Sequence, residues 1–140
     1  MSGRAKMVNG ILNDKALEAA RMALDGLSLR QEVVGRNIAN VDTPGYTAQK
    51  VNFEDALNRF LRTGSKIQME TTTDAHQAVA DRFNNIRVQS QRGGTRRADG
   101  NNVDIDAELG DMTQTVLRYQ TLTSLSSSKL SLLKEIASRR

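Results

Sequence analysis

The densest run of oxygen ligands in this chain is Asp99, Asp104, Asp106 and Glu108, and the chemistry it suggests is calcium binding. The spacing does not suit it. An EF-hand loop needs donors at its first, third and fifth positions and glycine at the sixth. A loop starting at Asp99 instead has Gly100 second and Val103 fifth. These carboxylates better suit the start of a helix, with Asp104 as the cap and Asp106 and Glu108 complementing the positive end of the helix dipole. His76 is the single histidine, with no second His or Cys to share a metal and no convincing nucleophile beside it, which suits a surface or capping role. Cysteine is absent, which excludes disulfides, thiolate metal sites and cysteine nucleophiles. Gly93-Gly94-Thr95 lacks the following Lys-Ser/Thr that a phosphate-binding loop requires. No catalytic, cofactor-binding or metal residue is expected, and no cofactor or small-molecule substrate.

Arg82, Arg87, Arg92, Arg96 and Arg97 lie in a stretch without a single acid, in a chain of net charge +4. Such a run can neutralise phosphates. Nucleic-acid binding by a small basic helical protein is the alternative function, but Phe83 is the only stacking residue near these arginines. Aromatics make up 4% of the residues and Trp is absent, so there is little material for an apolar ligand pocket. The first twelve residues contain no apolar run of signal-peptide length, and no stretch of the chain is long and apolar enough for a membrane helix.

The elements that must position any site are two long helices. Its 140 residues suit one domain. From Asp14 to Asn40, Leu17, Ala20, Leu24, Leu27, Val34 and Ile38 recur at steps of three and four, a heptad seam interrupted by Gln31. Gly26 and Gly35 weaken this helix by about 1 kcal/mol each relative to alanine. It should end before Pro44, where Pro-Gly suits the central positions of a type II turn and Asn40 can take a left-handed C-terminal conformation. Asn52 can cap a short amphipathic helix, residues 53–62, on Phe53, Ala56, Leu57, Phe60 and Leu61, ended by Gly64. Residues 66–70 and 86–90 alternate like strands, Asp74 with Gln77 can start a brief helix, and residues 91–102 read as a mobile loop.

A final helix follows Asp104. Leu109, Met112, Val116 and Tyr119 form one seam and Leu122, Leu125, Leu132 and Ile136 a second, joined by two successive steps of three. The expected fold is mainly α. Long N- and C-terminal helices (segments 1–41 and 102–140) pair as an antiparallel coiled coil forming one domain, around a weakly structured middle, 42–101, of loop or hairpin. Leu29 and Val33 lie off the first seam, and Leu117, Leu130 and Leu133 off those of the last helix. They are left to face neighbouring subunits.

The stretch Arg36-Asn-Ile-Ala-Asn-Val-Asp-Thr-Pro-Gly-Tyr46 resembles the N-terminal signature of flagellar rod, hook and hook-associated axial proteins. Its motif residues are Asn37, Asn40, Thr43, Pro44, Gly45 and Tyr46. Together with Val51-Asn-Phe-Glu54, residues 101–108 and Leu117-Arg-Tyr-Gln120, it is most similar to the proximal rod proteins of that family. The resemblance implies a structural subunit of the bacterial flagellar basal body. Such a subunit assembles with itself and other rod proteins around the export channel and transmits torque from ring to shaft. The implied partners are the adaptor FliE, the membrane-embedded ring and the export gate, and not nucleic acid. The implied location is the periplasmic rod, reached through the flagellar type III apparatus without a cleaved signal peptide.

Overall fold

The computed structural model describes residues 14–62, 86–91, 93 and 95–138. The strand expected at 66–70, the brief helix at Asp74 with His76 and Gln77, the stop at Gly64, and Arg82, Arg92, Arg139 and Arg140 lie outside these residues.

Helix α1 spans Lys15–Ala39. Asp14 caps it, accepting the Ala16 amide on Oδ1 at 2.9 Å, while Oδ2 meets Lys129 Nζ at 2.5 Å. Strand β1 (Gln49–Asn52), helix α2 (Glu54–Arg62), strand β2 (Arg87–Ser90) and helix α3 (Ile105–Ser138) follow. α1 and α3 run antiparallel: Asp14 meets Lys129 at one end, and Asn37 meets Glu108 at the other. Among the described residues, no helix is long and apolar enough to cross a membrane.

β1 and β2 pair antiparallel, with Gln49 opposite Ser90 and Val51 opposite Val88. The alternation over 86–90 therefore marks a strand, whereas β1, of the same four-residue length, lies where no strand is expected. Its presence moves the start of α2. Asn52 is the last strand residue, opposite Arg87, so it does not cap the helix. Phe53 takes that place, and its carbonyl accepts the Leu57 amide at 2.9 Å. On α2, Phe53 and Ala56 are buried and Leu57 and Phe60 half-buried, as one apolar face requires, but Leu61 is exposed.

The core lies where α1 meets this middle segment. Ala23, Leu27, Val33, Val51 and Phe53 form it, with Leu29, Leu57, Ile86, Tyr119 and Leu122 packed against it. Val33 and Leu29, expected to face other subunits, are thus covered by the chain itself. The cause is the β1–α2 segment, which gives α1 a second buried face beside its heptad seam. Of that seam, Leu27 and Val34 are buried and Leu17, Ala20, Leu24 and Ile38 half-buried.

On α3 one line of covered positions runs through Glu108, Met112, Thr115, Tyr119, Leu122, Ser126, Lys129 and Leu133, with Asp111 and Val116, also half-buried, beside it. The steps along the line alternate four and three without a break, so the expected joint after Tyr119 is absent. A reading of apolar residues alone could not find this line, because Glu108, Thr115, Ser126 and Lys129 interrupt it. The apolar seam splits accordingly. Met112, Val116, Tyr119 and Leu122 are half-buried, while Leu109, Leu125, Leu132 and Ile136 are exposed.

Candidate functional site

Asn37, the first asparagine of the motif, is fully buried at the meeting point of four elements. An amide side chain has two donor hydrogens and an oxygen with two lone pairs, and here all four are used. Nδ2 donates to the Gln49 carbonyl at 2.8 Å and to Glu108 Oε1 at 3.0 Å. Oδ1 accepts the Gln49 amide at 3.0 Å and the Tyr46 hydroxyl at 3.1 Å. One residue therefore joins α1 to the turn, to the edge of β1 and to the start of α3.

The turn itself closes through the Tyr46 amide, which donates to the Thr43 carbonyl at 3.2 Å, with Gly45 at φ +72°. That positive φ is what the third residue of a type II turn needs. Asn40 has φ −106°, so the expected left-handed conformation does not occur. Hydrogen bonding explains why. Its Nδ2 reaches back to the Arg36 carbonyl at 2.8 Å and its Oδ1 accepts the Thr43 hydroxyl at 3.1 Å, which ends the helix without inverting the backbone. Gly45 then donates its amide to the Asp99 carbonyl at 2.9 Å.

Asn101 holds the turn from the opposite side. It is fully buried, and its Nδ2 lies 2.9, 3.0 and 2.9 Å from the carbonyls of Asn40, Val41 and Thr43. Two hydrogens serve three acceptors, so one bond is shared. Asn102 Oδ1 accepts the Ala48 amide at 2.7 Å, its Nδ2 donates to the Gln91 carbonyl, and Val103 is buried. The C-terminal part of the expected mobile loop is therefore anchored. Its polar residues satisfy the carbonyls that the end of α1 leaves open.

The acidic group takes the capping role expected of it. Asp104 Oδ1 accepts the amides of Asp106 and Ala107 at 3.1 and 3.2 Å, and Asp99 Oδ1 accepts that of Asn101 at 3.0 Å. Among the described residues, no three histidines or carboxylates cluster closely enough to hold a metal. Glu108 differs from its neighbours. It is 7% exposed, and burial pushes its carboxyl above the ordinary carboxylate range, with nearby Asp111 adding to the effect and the bond from Asn37 opposing it.

A titration follows from that shift. Folding raises the pKa, so the folded state favours the protonated acid. The linked stability is present below the unfolded carboxylate pKa and is lost as pH rises through the higher folded value. Glu108→Gln keeps the acceptor for Asn37 and removes the charge. Urea midpoints should show it gaining more over the parent near neutral pH than at about pH 4, and an equal difference at both would count against the assignment.

The reading from sequence named the turn residues but missed their anchors, Asn101 and Glu108, and also missed Arg30. The Arg30 guanidinium lies 4.6 Å from the Phe53 ring centroid, donates to the Val51 carbonyl at 2.8 Å and pairs with Glu54 at 2.7 Å. The expected interface residues fall into two groups. Leu17, Leu24, Leu27, Val34, Ile38, Met112, Val116, Tyr119 and Leu122 are at least half-covered within the chain, and the exposed remainder of the α3 seam is free for contacts beyond it.

The described residues thus bring together a long helix, an anchored turn and an exposed apolar helix face. The family model described as "Flagella basal body rod protein" matches residues 17–47, the length of α1 through the turn. The "Flagellar basal body rod protein FlgB" of Bacillus subtilis is 32% identical over 81% of this chain and 86% of its own. Proteins of the same description from Aeromonas hydrophila and Escherichia coli are each 34% identical, over 84% and 81% of this chain and 89% and 86% of theirs. With the motif, the turn it builds and alignment over most of both chains in agreement, this chain belongs to the FlgB family of flagellar basal body rod proteins.

Proposed function

We propose that this chain is a structural subunit of the proximal rod, packing helically with further copies and with other axial proteins around the export channel. In that position it transmits torque from the membrane-embedded ring to the shaft, beside the adaptor FliE and the export gate. It reaches the periplasm through the flagellar type III apparatus.

The observation that carries this reading is the uncovered apolar face of α3. Leu117 and Leu125 are each 63% exposed, Leu132 60% and Ile136 66%, along a helix of 34 residues. Past Lys129, which meets the start of α1, the described helix runs on for about 13 Å at 1.5 Å per residue. Apolar surface repeated along a rod is what head-to-tail contacts need, and contacts of that kind build open helical assemblies. The anchored turn supplies the stiffness that torque requires, because its bonds join α1, β1 and α3 directly.

Leu125→Asp combined with Leu132→Asp tests this without touching the core. The isolated variant should melt like the parent, since both sites are exposed. It should be lost from basal bodies, because an unpaired charge in an apolar contact costs several kcal/mol. Normal incorporation of the folded variant would defeat the reading.

A further inference from the structure

Between α1, β1 and the start of α3 lies a cleft of about 330 Å³, walled by Arg30, Gln49, Lys50, Glu54, Glu108 and Asp111 among others. Its lining is polar, unlike that of most small-molecule sites. Its charges are unevenly matched. Glu54 is paired with Arg30 at 2.7 Å, and Asp111 has Lys50 at 3.9 Å. Glu108, the most deeply buried of the three acids, has only one hydrogen bond among the described residues, from a neutral amide. On the same wall, Gln49 Oε1 is buried and accepts none. Gln49 Oε1 thus lacks a donor, and the Glu108 carboxylate has room for more donors than the one amide it meets. Arg30 Nε, also buried without a partner, is a donor and does not relieve them.

The rest of the chain has the complementary surplus. Arg87 and Arg96 are exposed, lie in the stretch that contains no acid, and have no ion pair among the described residues. A guanidinium offers five donors in a fixed fork, enough to serve a carboxylate and an amide oxygen together.

We propose that the cleft is an intersubunit socket that receives Arg87 or Arg96 from a second copy of this chain, the guanidinium bridging Glu108 and Gln49. This rests on the rod-subunit reading above and assigns one of its contacts. Arg87 lies opposite Asn52 on the cleft wall and Arg96 outside the lining, so arginine and socket are distinct groups and the arginine of one subunit can enter the socket of the next, head-to-tail, as a helical assembly requires. The contact would also give a full ion-pair partner to a buried carboxylate that, among the described residues, has a neutral amide as its hydrogen-bond partner and Lys50 as a nearby positive charge.

Because the chain has no cysteine, Arg87→Cys or Arg96→Cys combined with Asp111→Cys at the rim of the cleft reports the contact directly. Treated with a bis-maleimide long enough to replace the reach of an arginine side chain, rods isolated from cells making these variants should yield cross-linked dimers of the chain from at least one pair, and none from any single-cysteine form. Rods that contain the double variants but yield no dimers overturn the proposal and leave the rod-subunit reading standing. Absence of the parent chain from rods would instead overturn that reading. A second measurement covers variants that fail to incorporate. Glu108→Gln, which keeps the acceptor for Asn37 and should leave the free chain folded, should lose the subunit from isolated rods at severalfold lower salt than the parent. Equal salt resistance also overturns the proposal. Salt sensitivity without dimers from incorporated cysteine pairs does so as well, because the cation then comes from another protein.

Discussion

Replacing Asn37 with alanine should destabilise the free chain by about 3–5 kcal/mol, a large share of what a domain of this size has to lose. The substitution strands four groups at once: the amide and carbonyl of Gln49, the Tyr46 hydroxyl and the Glu108 carboxyl. Each buried polar group left without a partner costs about 1–3 kcal/mol, and partial access to water for some of them keeps the total below the simple sum. Asn37→Asp separates geometry from charge. It preserves size but removes both donor hydrogens and sets a second carboxylate against Glu108, so its penalty should be largest near neutral pH and shrink on acidification. Urea denaturation across pH measures both effects. A loss below about 1 kcal/mol for the alanine variant would show that the residue is not the junction described here.

Gly26→Ala and Gly35→Ala should move stability in opposite directions, although both put a better helix former into α1. A Cβ at Gly26 would lie 2.7 and 2.8 Å from the two Cδ atoms of Phe53 and closer still to Cγ. The ring cannot easily withdraw, being buried with the Arg30 guanidinium 4.6 Å from its centroid. Overpacking of this kind costs about 1–3 kcal/mol, more than the roughly 1 kcal/mol that alanine contributes to the helix. At Gly35 the nearest outside atom is Met112 Cε at 3.9 Å, an ordinary contact with a flexible side chain, so the helix-propensity gain of about 0.5–1 kcal/mol remains. Thermal melting of the two variants decides the matter. Phe53→Leu should also recover part of the loss in Gly26→Ala, since it removes the ring that the new methyl meets.

The contrast between these glycines bounds what the amino-acid sequence conveys. Both look like weak points in a helix, and only at Gly35 is that description complete. At Gly26 the glycine permits a close approach by Phe53, a residue 27 positions away.

Seams, caps and the turn were legible because they are local. A heptad repeat, an aspartate ahead of a helix and Pro-Gly after one act on neighbours a few residues apart, so their physics is written in consecutive letters. That much determined two long helices, the cap at Asp104 and the positive φ at Gly45, while the motif around the turn carried the resemblance to the axial-protein family. Tertiary structure decided everything that depends on a distant partner. Asn101 reaches carbonyls 58 to 61 residues earlier, and Asn37 meets Glu108 across 71. Val33 is buried in a cluster with Val51 and Phe53, residues that β1 and the start of α2 bring back to α1. The face that α3 turns inward carries Glu108, bonded to Asn37, and Lys129, paired with Asp14, beside Tyr119 and Leu122, and is not the face where its leucines are densest. A hydrophobic pattern ranks faces by their transfer from water alone, whereas a buried hydrogen bond or ion pair makes an orientation favourable only after its partner has been brought into place.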